Sequence, residues 1–182
     1  MTFQFKIHIL DIESPDVWRR LLVPGNFSFH HFHHIIQASF GWTNSHLYEY
    51  SPEGIGSDPV ITHPEFEPEN EYRNSLRFKL SKYFVNKGDK IIYTYDFGDS
   101  WEHSIVLEKR LPVDPNTTYP ICTDGQLACP PEDCGGVPGF YDLVEALADP
   151  NHERHEEMLD WIGDDFDPQA FSVDNVNRML AP

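Results

Sequence analysis

Asp96, Asp99, Trp101, Glu102 and His103 lie within eight residues of one another, inside the run IIYTYDFGDSWEHSIVL from Ile91 to Leu107. Carboxylates and an imidazole at that density can bind a divalent cation, activate a water or hold a polar ligand. A hairpin that only joined two strands would have little use for them. Further on, Cys122, Cys129 and Cys134 are spaced C-x6-C-x4-C, with Glu132 and Asp133 between the last two. Thiolates and an imidazole complete tetrahedral zinc sites, so Cys122, Cys129, Cys134 and His103 are the expected metal ligands and zinc the expected ion. The spacing lacks a C-x2-C knuckle, and the cysteines equally suit the role of small buried hydrophobes.

Two other motifs fail on inspection. Asp96-Phe97-Gly98 spells the magnesium triplet of protein kinases, but the chain has neither their glycine-rich loop nor their catalytic loop. His152-Glu153-Arg154-His155-Glu156 resembles HExxH, yet Glu156 stands where the second histidine must be. No phosphate-binding loop, nucleophile elbow or dinucleotide fingerprint is present.

The central residues need a frame. Alternation on both sides of Gly98-Asp99 predicts a β-hairpin over 91–107, and a Gly-first two-residue loop suits a type II′ turn. That register pairs Asp96 with Trp101 and Thr94 with His103. It puts all four on one face, with Asp96 and His103 as diagonal neighbours. Phe3, Phe5, Ile7 and Ile9 alternate with polar residues in a half-buried strand, and Val17–Val23 forms its partner, carrying Arg19 and Arg20 as surface charge. Ser28 caps a helix over 28–40 that Gly41 ends, with Phe29, Phe32, Ile36 and Phe40 as its buried stripe. His30, His31, His33 and His34 sit on this helix, where His30 and His34 have the i,i+4 spacing of a metal pair, although a solvated or partly packed face explains them as simply. A strand with His46, Tyr48 and Tyr50 on one face follows. Residues 51–70 read as a variable acidic loop and 112–139 as an irregular loop rich in Pro, Gly and Cys. Helices follow from Phe140, after Asn151 and after Ser172. The order of elements gives an α+β fold, one domain over 1–182, with a mostly antiparallel sheet packed by the 28–40 helix and by helices of the C-terminal third.

Buried polar groups need partners, and the long loop leaves the hairpin where its second strand ends. The simplest closure lays CPPEDCGG (Cys129–Gly136) back across the hairpin. The expected pocket gathers Trp42, His46, Asp96, Asp99, Trp101, Glu102, His103, Glu132 and Asp133. Lysine and arginine number 13 against 30 aspartate and glutamate, a formal charge of −17, which disfavours binding to a phosphate backbone. No apolar run reaches membrane-spanning length and the N-terminus lacks a signal-type core, so a cytoplasmic location with reduced thiols is expected.

The chain resembles the plasmid pRiA4b ORF-3-like family. The resemblance is carried by VWRRLLVPG (Val17–Gly25), FHHIIQASFGW (Phe32–Trp42) with SHLYEY, GDKIIYTYDFGDSWEHSIVLEK (Gly88–Lys109), CPPEDCGG, EALADP (Glu145–Pro150) and DFDPQAF (Asp165–Phe171) with NVNRML. It implies a single α+β domain, often encoded near plasmids and insertion elements, in a family without an established biochemical activity. The resolvase label attached to some relatives does not carry over, since a resolvase needs a nucleophile beside phosphate-binding arginines and a basic surface. Two functions are expected to compete. One is a non-enzymatic binding or regulatory module recognising a protein or small molecule. The other is a metal-assisted hydrolase built on DFGDSWEH and CPPEDCGG.

Overall fold

Strict alternation puts Phe3, Phe5, Ile7 and Ile9 on one face of β1 (Thr2–Ile9), and all four are buried. In this computed structural model, which describes residues 1–13, 15–65, 72–163 and 166–181, β1 lies inside the sheet. It pairs antiparallel with β2 (Trp18–Pro24) and with β7 (Trp101–Leu111), so that Phe5 faces Leu21 on one side and Leu107 on the other. Beyond β7 come β6 (Lys90–Tyr95), β3 (Tyr48–Ser51), β4 (Ile61–Thr62) and β5 (Arg73–Asn74); beyond β2 comes β8 (Ile121–Gln126). The order is β5-β4-β3-β6-β7-β1-β2-β8, antiparallel except for the short β4–β5 pair.

α1 (Phe29–Phe40) packs its apolar stripe on the sheet, with the Phe32 ring 4.9 Å from that of Phe5. Ser28 caps it, its hydroxyl oxygen accepting from the His31 N–H at 3.2 Å, and Gly41 ends it at φ 88°. α2 (Leu80–Tyr83) is a single turn. α3 (Gly136–Ala148) and α4 (His155–Ile162) share a small core of Leu143, Ala146 and Met158. α5 (Val173–Leu180), capped by Ser172, adds Val176 and Leu180 to the main core. Asn177 of α5 grips the outermost strand: its Oδ1 accepts from the Cys122 N–H at 2.7 Å and its Nδ2 donates to the Cys122 carbonyl at 2.9 Å. The architecture is the expected α+β fold with a mostly antiparallel sheet.

Several local expectations are overturned. The hairpin turn spans Asp96–Ser100 rather than two residues, and the last pair is Tyr95 with Trp101. Asp96 causes this: it adopts φ 56°, a conformation Asp tolerates, and its Oδ1 accepts from the Gly98 N–H at 2.9 Å. The one-residue change of register inverts the pairing, placing His103 opposite Tyr93 and Glu102 opposite Thr94. Residues 112–139 are not structureless, because Pro120 and Pro130 flank the run that pairs as β8 instead of interrupting it. α3 starts at Gly136, ahead of the expected Phe140; Pro138 falls in its first turn, where no intrahelical donor is needed. α4 starts at His155, not directly after Asn151, whose N–H is taken by Asp149 at 2.9 Å. Arg19 is 3% exposed rather than a surface charge, whereas Arg20 is the expected surface residue, paired with Glu108 and Asp124 at 2.8 and 2.7 Å. Residues 66–70 of the acidic loop, and Asp165 of the DFDPQAF segment, lie outside the described residues.

Candidate functional site

Three segments meet at the tip of the β6–β7 hairpin: the turn 41–46 that follows α1, the hairpin turn itself and CPPEDCGG. Tyr95, the last residue of β6, joins them. Its hydroxyl oxygen accepts from the Ser45 and His46 N–H groups at 2.9 and 3.3 Å and its proton goes to Glu132 Oε1 at 2.5 Å. The other Glu132 oxygen accepts from the Thr43 N–H at 3.1 Å and from the Thr43 hydroxyl. Trp42 Nε1 donates to the Pro130 carbonyl at 3.0 Å, and Asp99 Oδ2 accepts from the Gly135 N–H at 3.1 Å. CPPEDCGG therefore does lie back across the hairpin tip. Burial presses the Glu132 carboxyl upward, but the bonds from Thr43 and Tyr95 together outweigh it and hold the group below the usual carboxylate range. Burial, with Glu132 beside it, raises the Tyr95 phenol.

This frame aims three side chains at one point. His46 Nε2 lies 2.9 Å from Asp133 Oδ1 and 3.6 Å from Asp96 Oδ2, and one ligand atom from each of the three residues falls within 4.8 Å of the others. Asp96 is nearly buried, His46 half-buried and Asp133 exposed, so the group opens to solvent on the Asp133 side. Asn44, Asp96, Ser100 and Asp133, all in these three segments, have φ between 55° and 61°. Clusters of left-handed non-glycine residues mark positions that the surrounding structure over-determines, as binding sites do.

Of the expected pocket residues, Trp42, His46, Asp96, Asp99, Glu132 and Asp133 come together. Glu102 does not: strand alternation puts it on the face opposite Trp101 and His103, and its carboxylate stands over Gly54, 2.8 Å from where a Cβ would be. Trp101 and His103 lie behind the site as buried structure, their rings 6.0 and 5.1 Å from Trp42. The expected zinc set of Cys122, Cys129, Cys134 and His103 is not assembled. Among the described residues, the one group of three or more convergent ligands is His46, Asp96 and Asp133. The reasons are local. Cys122 is tied into β8 with its thiol donating to the Asp124 carbonyl at 3.3 Å, and His103 Nδ1 donates to the Trp101 and Tyr93 carbonyls at 3.1 and 3.3 Å. Burial also pushes all three thiols up, Cys134 to about 12. On α1 the His30 and His34 Nε2 atoms do meet, at 3.1 Å, but no third ligand among the described residues joins them.

Tyr95, Thr43 and Asn44 were not legible as site residues. The only available signal was position, since Tyr95 directly precedes Asp96 and the other two lie between Trp42 and His46 in the sequence.

The sequence model of the family described as plasmid pRiA4b ORF-3-like protein matches residues 1–175, and the chain belongs to that family. It is similar to the uncharacterized protein y4hQ of Sinorhizobium fredii (strain NBRC 101917 / NGR234), 40% identical over 173 residues, 94% of this chain and 87% of that one. It is also similar to the crystal structure of MM3350, a protein of unknown function from Methanosarcina mazei Go1. That match has a TM-score of 0.85 at 38% identity and covers 96% of each chain. No helix among the described residues is long and apolar enough to cross a membrane.

Proposed function

We propose that this protein is a cytoplasmic binding module whose ligand site is a divalent-cation centre held by His46, Asp96 and Asp133. The observation that carries the reading is their spacing. Tetrahedral ligand atoms about 2.1 Å from a zinc ion stand about 3.4 Å apart, and His46 Nε2 is 2.9 and 3.6 Å from the two carboxylates. One imidazole and two carboxylates suit zinc, manganese or iron better than calcium, which prefers oxygen alone. Three protein ligands leave a coordination position for the group that is recognised, a small molecule or a side chain of a protein partner. The charge of −17 argues against nucleic acid in that role. The family's plasmid description supports a place among the products of mobile elements.

The same open position supports a second reading, metal-assisted hydrolysis. A divalent ion lowers the pKa of a bound water, and the exposed Asp133 side would admit a substrate.

The test is calorimetric titration of chelator-treated protein with Zn2+. One equivalent should bind with a Kd of about 1 μM or tighter, and His46→Ala and Asp96→Asn should each weaken it at least about tenfold. The alternative is a side-chain contact of one imidazole and two carboxylates without a metal. Absence of saturable binding, or binding indifferent to both substitutions, would establish that alternative.

A further inference from the structure

Of the 13 lysines and arginines, Arg19 alone is buried. No carboxylate among the described residues pairs with it. Its Nε donates to the Ser39 carbonyl at 3.0 Å, at the C-terminal end of α1, and Nη1 donates to the Trp18 and Gln126 carbonyls at 2.8 and 2.9 Å. The rings of Phe40 and Phe171 sandwich the guanidinium, with centroids 5.0 and 4.5 Å from Cζ. Gly125 makes room for this: a Cβ there would sit 2.4 Å from the Phe171 ring. These contacts hold and partly compensate a cation that cannot deprotonate. Among the described residues no acceptor is recorded for Nη2.

Arg19 lines a cavity of about 430 Å3 with Ser39, Ala128, Cys129, Asn175 and Met179. No acidic residue among the described residues lines it, in a chain that carries 30 of them. Asn175 lines it too, exposed in the first turn of α5, and its Nδ2 makes no hydrogen bond to any described residue. Cys129 also lines the cavity, and burial raises its thiol well above the ordinary range, so it supplies no negative charge. Most of the remaining wall is apolar.

The geometry points to an anion site: this cavity binds a small organic carboxylate with an apolar body, its carboxylate on Arg19 Nη2 and Asn175 Nδ2 and its body against Ala128 and Met179. The reasoning is charge complementarity. A fixed buried cation lining a cavity that has no carboxylate among its described lining residues is a preorganised anion receptor. The site shares no residue with the His46–Asp96–Asp133 group and stands independently of it.

The probe is N-acetyl-leucine, compared with N-acetyl-leucine amide, by nuclear magnetic resonance titration of the full chain. The acid should bind saturably with a Kd below about 1 mM and the amide at least about tenfold more weakly. Asn175→Asp places a carboxylate in the cavity lining from an exposed position. It should cut acid binding at least tenfold with melting unchanged. Arg19→Met should abolish binding; if that variant does not fold, Asn175→Asp decides alone. A tetrapeptide ending in leucine that binds more tightly than the acid would assign the source as polypeptide C-termini, and one that binds equally or more weakly, free metabolites. Failure to saturate at about 10 mM, equal affinity for acid and amide, or indifference to Asn175→Asp would overturn the site.

Discussion

His33 and His103 show how much of a residue's chemistry is set by what surrounds it. Gln37 Nε2 donates to the Tyr93 hydroxyl at 3.1 Å, that hydroxyl faces His33 Nδ1 at 2.8 Å, and His33 Nε2 faces Asn44 Oδ1 at 2.5 Å. The chain of donors requires neutral His33 with its proton on Nε2. His103 keeps its proton on Nδ1, while its Nε2 is buried without a partner. Burial, the leading cause for both, lowers each to about 3 from an ordinary 6.5. Between those values the unfolded chain binds more protons than the folded one, so stability is fully present above about pH 6.5 and declines as pH falls toward 3. The slope is up to about 1.4 kcal/mol per pH unit for each histidine. Denaturant midpoints should fall between pH 7 and pH 5, and the ring resonances of His33 and His103 should not titrate across that range. A midpoint near 6.5 for either ring would refute the assignment.

At the scale of elements, the clasp between hairpin and loop depends on Gly136. It adopts φ 67°, and a Cβ on it would meet the Asp99 carbonyl oxygen at 2.6 Å. Backbone meets backbone there, so no side-chain rotation can relieve the clash. Gly136→Ala should destabilise the protein by about 1–3 kcal/mol and weaken cation binding through displacement of Asp133. Thermal melting and zinc titration of the same variant check both halves. An unchanged melting temperature would contradict the contact. The elements that hold this clasp were unequally legible. β1, β2 and α1 announced themselves through alternation, a capping serine and a terminal glycine. The hairpin turn did not, because a Gly-first loop is the ordinary solution and nothing local says that Asp96 will take the left-handed conformation first. β8 was hidden by the prolines around it, and Pro138 concealed the start of α3.

For the whole molecule, the sequence made the meeting of CPPEDCGG with the hairpin legible because the loop leaves from the end of that strand. It did not disclose which side chains would face each other there. One register slip set Tyr95 and Tyr93, not Asp96 and Thr94, opposite Trp101 and His103, and only the third dimension brings His46 to Asp133 across 87 positions. Arg19 was misread for the same reason: strand alternation fixes a face but not what α5 and Phe171 later lay over it.

The bond that Asn177 makes to Cys122 has a consequence for how copies of this chain behave in solution. β8 ends the sheet, and its outward N–H and C=O groups are an invitation to another strand. At Cys122 a side-chain amide answers both groups, doing what a neighbouring strand's backbone would do. At Cys122 the margin is therefore closed by one asparagine of a helix. Asn177→Ala should leave the monomer folded but render it prone to concentration-dependent self-association, seen as growing oligomer by light scattering above about 100 μM, where weak edge pairing becomes populated. A variant that stays monomeric at that concentration would show that the register shift between β2 and β8 protects the margin by itself.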